Sequence, residues 1–76
     1  MLNPHKWNLD WHELDGCGDI RRSYAAFNND LTFEVDEHFS GAITGVAYRT
    51  STEEIVFASS FDSRGTAMFT LEKLEG

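Results

Sequence analysis

The sequence predicts an α+β domain: an antiparallel sheet of three to four strands packed by one C-terminal helix. Three observations carry this reading. Residues 31–36, Leu-Thr-Phe-Glu-Val-Asp, alternate apolar and polar with the period of two that belongs to a half-buried strand. Two further apolar stretches, 42–49 and 54–60, follow after short polar connections, the pattern of an antiparallel meander. Beyond Phe61 the apolar period lengthens, with Ala67, Leu71 and Leu74 at i, i+4 and i+7 and Met68 beside them.

Taken in chain order, residues 4–14 are helical or extended. Asn3-Pro4 resembles an N-cap followed by proline at the first helical position, and Trp7, Trp11 and Leu14 fall at helical spacing, which favours helix. Trp7, Leu9 and Trp11 also alternate as a strand does. Residues 20–27 form a strand, because Asn28-Asn29-Asp30 between Phe27 and Leu31 has the composition of a hairpin loop. Residues 31–36 are the next strand, and 37–41, polar and ending in Gly41, are a turn. Residues 42–49 are a strand in which Gly45 marks a bulge or the close approach of another group. Residues 50–54 connect to the strand 54–60. The helix covers 63–75, with Asp62 or Ser63 accepting from the free N–H groups of its first turn and Lys73 in its last turn.

One apolar run constrains the packing. Ile55-Val56-Phe57-Ala58 is apolar on both faces, so a single helix on one side leaves the other side uncovered. Its second face requires the Trp7/Trp11 segment, a second protomer or a bound partner. Glu53, Glu54 and Asp62 bracket the run as charges that oppose aggregation.

Seventy-six residues accommodate one domain from end to end, and ten aromatics (two Trp, two Tyr, six Phe) make it a globular one. Thirteen acids against six bases give a formal charge of −7. The excess is concentrated in residues 1–38, where eight acids oppose three bases. Phosphate backbones are held by Lys and Arg, and Arg21-Arg22 is the sole adjacent basic pair, so neither direct nucleic-acid binding nor an anionic membrane is expected. Cys17 is the single cysteine, which excludes an internal disulfide and fits a reducing compartment. The N-terminal MLNPHKWNLD has no unbroken apolar stretch of the kind found in signal peptides, and a cytoplasmic location is expected.

The densest polar cluster is Asp10, His12, Glu13, Asp15, Cys17 and Asp19. Zinc sites use paired ligands such as C-x2-C or H-x3-H, and His12 with Cys17, His5 or His38 matches neither spacing. Residues 15–19, Asp-Gly-Cys-Gly-Asp, lack the alternating carboxylates of a calcium loop. No cofactor is expected; the cluster is read as a solvated turn with Cys17 half-buried. Catalysis would take His12 as base beside Glu13 or Asp15, or Cys17 as nucleophile. It needs groups with separated pKa values in a water-excluding cleft, which a domain this small rarely encloses. No nucleophile-elbow, phosphate-loop or metalloprotease motif is present, and an enzyme is not expected.

The acidic surface is the remaining signal. If 31–36 is a strand, Thr32, Glu34 and Asp36 face away from Phe33 and Val35, and carboxylates two residues apart lie about 6.6–6.8 Å from each other. Asp30 and Glu37 continue the row. Charge runs are commonly ordinary solvated faces; here few bases are interspersed, and like charges on one face oppose folding. The two tryptophans are core residues or, alternatively, anchors for a partner.

The outline of antiparallel strands followed by a helix, over roughly residues 20–75, is similar to many small phage and bacterial modules. In size, charge and missing catalytic motifs the chain resembles small inhibitors such as anti-CRISPR proteins, DNA mimics and nuclease-immunity proteins. That resemblance implies a non-enzymatic module docking on a basic protein of a nucleic-acid-handling complex, through Asp10, Glu13, Asp15, Asp19, Asp30, Glu34, Asp36 and Glu37, with Trp7 and Trp11 as apolar anchors. Two alternatives are a homodimeric structural or accessory protein and a small metal-dependent hydrolase using His12, Cys17 and neighbouring acids.

Overall fold

A computed structural model describes residues 9–75, with side chains through Leu74. Five strands and one helix follow in chain order: β1 (His12–Asp15), β2 (Ile20–Phe27), β3 (Leu31–His38), β4 (Ile43–Arg49), β5 (Ile55–Phe61) and α1 (Arg64–Glu75). The strands form one antiparallel sheet in the order β1-β2-β3-β4-β5, each paired with its neighbour in sequence. The principal extents of 32 × 30 × 19 Å leave room for one helix layer on one sheet layer and no third.

The sheet has one strand more than the sequence predicts. Residues 12–14, read as favouring helix, belong to edge strand β1, paired His12 to Ala25 and Leu14 to Ser23. The alternation of Leu9 and Trp11 is the pattern that prevails: Leu9 is buried and Trp11 packs against the core. Helical spacing of Trp11 and Leu14 misled because Leu14 does not share Trp11's environment; it is half exposed. Residues 4–8, including Trp7 and His5, lie outside the described residues. β3 also runs two residues beyond the predicted end at 36, since Glu37 and His38 remain paired with β2, and only 39–42 turn.

Local chemistry explains the turns. Between β1 and β2, a Cβ on Gly16 would stand 1.9 Å from the carbonyl oxygen of Ile20, so only glycine fits. Cys17 is exposed there rather than half-buried. In the β2–β3 hairpin the Asn28 carboxamide oxygen accepts from the N–H groups of Asp30 (3.0 Å) and Leu31 (2.8 Å), fixing the loop as an Asx turn. Ser63 caps α1, its Oγ accepting from the Thr66 N–H at 3.1 Å.

The core lies between α1 and one face of the sheet. Phe33, Val35 and Ala47 from the strands meet Ala67, Met68 and Leu71 from the helix, with Leu31, Ile43, Phe57 and Phe61 at the margins. Gly45 is a close-approach glycine: a Cβ there would lie 2.8 Å from the Phe61 ring and 3.5 Å from Leu71. The bulge falls instead between Ala47 and Tyr48. Leu74, predicted on the apolar stripe, is exposed, and the buried stripe is limited to Ala67, Met68 and Leu71.

The buried carboxylate Glu72 ties the entering chain to the helix. One of its oxygens accepts from the Leu9 N–H at 3.0 Å and from the Trp11 indole N–H at 2.9 Å. Both donors would otherwise be removed from water without a partner. Among the described residues no helix is long and apolar enough to cross a membrane.

Candidate functional site

Because α1 covers one face only, strand alternation deals every second residue to a face that no element of the described chain covers. The register sets three cross-strand rows there. Phe27, Thr32, Tyr48 and Ile55 form one; His12, Ala25, Glu34, Val46 and Ala58 the next; Leu14, Ser23, Asp36, Thr44 and Ser60 the third. Ile55 is 63% exposed, Phe27 58% and Leu14 49%. Large apolar side chains therefore stand at three corners of this face, while smaller residues and two carboxylates lie between them.

Glu34 and Asp36 stand at that middle, two residues apart on the central strand. Asp36 accepts from the Ser23 hydroxyl at 2.7 Å. Partial burial and the adjacent Asp36 carboxylate hold the Glu34 carboxyl above its ordinary value. Thr32 and Thr50 share a hydrogen bond of 2.7 Å above this pair, and His38 and Thr44 share one of 3.1 Å below it. Asp36 is thus held laterally by the Ser23 hydroxyl, and the pair is presented outward on the central strand.

Next to it, at the β5 side, Val46, Tyr48 and Ile55 floor a shallow depression of ≈ 360 Å³ with Glu53 at its rim. Glu53 has φ 63°, a left-handed conformation uncommon for a non-glycine residue, and its N–H donates to the Arg49 carbonyl at 2.7 Å. The base of this turn, Arg49, pairs with Glu54 at 3.4 Å.

The sequence-predicted site residues do not gather on one surface. Glu34 and Asp36 face outward as their alternation requires. Glu37, read as continuing their row, falls on the helix side, opposite Arg22 and Ile43. Glu13 and Asp15 share that side at the β1 edge, where Glu13 binds Arg22 at 3.1 Å. The Arg22 guanidinium is held above its ordinary value, through a hydrogen bond with Tyr24 first and the Glu13 carboxylate second. Asp10 lies 3.5 Å from His12, Asp19 lies 3.9 Å from His38, and Asp30 sits in the hairpin at the other end of the sheet. Trp11 is half-buried and bonded to Glu72, an anchor of the fold; Trp7 lies outside the described residues.

The two-faced run in β5 finds its helix-side cover in α1 through Phe57, but Trp11 stands at the opposite edge of the sheet and gives it none. Among the described residues, no three His, Cys, Asp or Glu side chains come together as metal ligands. No separate sequence signal marks Ser23, Val46 or Tyr48, and Glu53 is marked only as a charge that opposes aggregation. Val46 and Tyr48 could have been found from their alternation with Gly45 and Ala47. Ser23 carries no local signal and acquires its role only through the β2–β3 register. No protein-family model, curated protein or solved structure matches this chain.

Proposed function

We propose that the protein is a non-enzymatic binding module whose open sheet face docks on a basic surface of another protein. The observation that supports this best is the uncovered face itself: a carboxylate pair on its central strand, one member destabilised by partial burial and by its neighbour, with Leu14, Phe27 and Ile55 exposed at the margins. Apolar margins about a charged pair gain from a partner twice. Burying those margins removes apolar area from water at roughly 25 cal/mol per Å². A cation placed against Glu34 and Asp36 offsets the partial burial and the like charge that disfavour the ionised Glu34 carboxyl. The net charge of −7 steers such a partner from a distance.

This reading narrows the acidic surface to Glu34 and Asp36, with Asp10, Glu13, Asp15, Asp19, Asp30 and Glu37 contributing long-range attraction. A partner rich in Lys and Arg is most readily a nucleic-acid-handling protein, and the module acts there as an inhibitor or neutraliser, in the cytoplasm. The homodimer alternative is less well supported, since stacking two open faces sets acid pair toward acid pair. The hydrolase alternative has His12 on the open face and Cys17 in an exposed turn, with no enclosed cleft between them in the described residues.

The test is capture from host lysate on immobilised protein, with partners identified by mass and the salt varied. Basic proteins are expected at low salt, lost at high salt, and lost to the variant with both Glu34→Gln and Asp36→Asn. Retention of the same partners by that variant contradicts the proposal.

A further inference from the structure

We infer that the depression formed by Val46, Tyr48, Ile55 and Glu53 seats a single arginine side chain of the partner, so that the open face reads two discrete cations. The inference rests on the docking reading above and specifies its chemistry.

The residues suit an arginine more closely than any other side chain. Val46 and Ile55 give an aliphatic floor for a three-carbon stem, Tyr48 a ring on which a planar guanidinium stacks, and Glu53 an acceptor at the rim. A lysine ammonium is more strongly hydrated and lacks the planar fork, so it gains less from the same surroundings. The volume of ≈ 360 Å³ receives one such side chain with accompanying water and is too shallow to enclose a larger ligand.

Two features keep Glu53 available. Its turn holds one base, and that base is engaged by Glu54 at 3.4 Å. Its left-handed backbone is accompanied by the 2.7 Å bond from its N–H to the Arg49 carbonyl. Val46 is the direct cross-strand neighbour of Glu34, so the seat adjoins the acid pair without a gap. Two strand spacings separate Glu34 from the β5 side, about 10 Å. A partner with two basic groups at that separation, at least the outer one an arginine, meets both points at once.

The experiment is an amide-shift titration of the ¹⁵N-labelled full chain with an acetylated, amidated hexapeptide carrying arginines at its second and fifth positions. Lysine and citrulline versions, of equal length, serve as comparisons. The arginine peptide is expected to shift Val46, Tyr48, Glu53 and Ile55 together with Glu34 and Asp36. The lysine peptide binds about threefold more weakly, and the citrulline peptide gives no shift. Glu53→Gln weakens the arginine peptide about threefold, the effect of losing one exposed ion pair, and keeps the shifts at Glu34 and Asp36. Shifts confined to Glu34 and Asp36, with Glu53→Gln indifferent, overturn the arginine seat while the docking reading stands. Equal shifts with citrulline overturn cation recognition. No shift on this face with any peptide, or concentration-dependent shifts without one, overturns both readings.

Discussion

The two faces of this sheet are made from the same strands and differ in what each alternate residue does. On the helix side Phe33, Val35 and Ala47 are fully buried against Leu71 and Ala67. On the open side their immediate neighbours, Thr32, Glu34 and Val46, stay in a face with no second layer. The difference separates two tasks on one scaffold. One face supplies the apolar core, while on the other Thr32, Ser23 and Ala25 are buried among their neighbours and Leu14, Phe27 and Ile55 stand exposed. A strand such as β3 holds Glu34 and Asp36 outward from that core.

Substitutions on the two sides should separate accordingly. Phe33→Ala removes a buried ring and should cost about 3–5 kcal/mol, enough to unfold much of a domain this small. Phe27→Ala on the open face should stay within about 0.5 kcal/mol. Denaturant melts of the two variants give the contrast directly; equal losses would mean that the open face is a second core.

Glu72→Ala comes next. It strands the Leu9 N–H and the Trp11 indole N–H, and about 2 kcal/mol should be lost. Indole emission should shift to the red as Trp11 is released; an unchanged spectrum would show that the latch does not hold it. Gly45→Ala forces the Phe61 ring aside by a fraction of an ångström and should cost about 1 kcal/mol in thermal melts. A neutral outcome would mean that the margin of the core gives way freely.

The smallest effect has the opposite sign. The Glu34 carboxyl is raised above its ordinary value of 4.5, so between that value and its folded value the native state binds more protons than the unfolded one. Stability from this group therefore falls as pH rises through that window, and is lowest above it. Glu34→Gln should raise stability near pH 7 by up to about 0.5 kcal/mol, the repulsion being screened by solvent, and flatten the dependence in that window. A destabilised variant would show that the charge is supported rather than tolerated.

The sheet and helix were legible because their signals are local and periodic: the alternation of 31–36, the Asn28 hairpin and the Ser63 cap each act over a few residues. At residues 12–14 the local pattern points the wrong way: Trp11 and Leu14 sit at helical spacing by chance, whereas pairing with β2, nine or more residues away, decides the matter. The open face was half legible. Alternation places Glu34 and Asp36 outward from sequence alone, but the row was extended to Glu37 by adjacency, and adjacency in a strand means the opposite face. What lies beside the pair, Ser23 on one strand and Val46 on another, is fixed by register, which no short stretch of this chain encodes.

The proposed docking depends on the position of the carboxylates rather than on total charge. Two variants that each remove two carboxylates decide it: Glu34→Gln with Asp36→Asn on the open face, and Glu13→Gln with Asp15→Asn on the helix side of the β1 edge. Both carry a net charge of −5, so long-range steering is matched. Measured side by side for affinity to the captured basic partner, the open-face pair should lose binding at least tenfold and the edge pair about twofold. Equal losses, or a greater loss at the edge, would contradict the account.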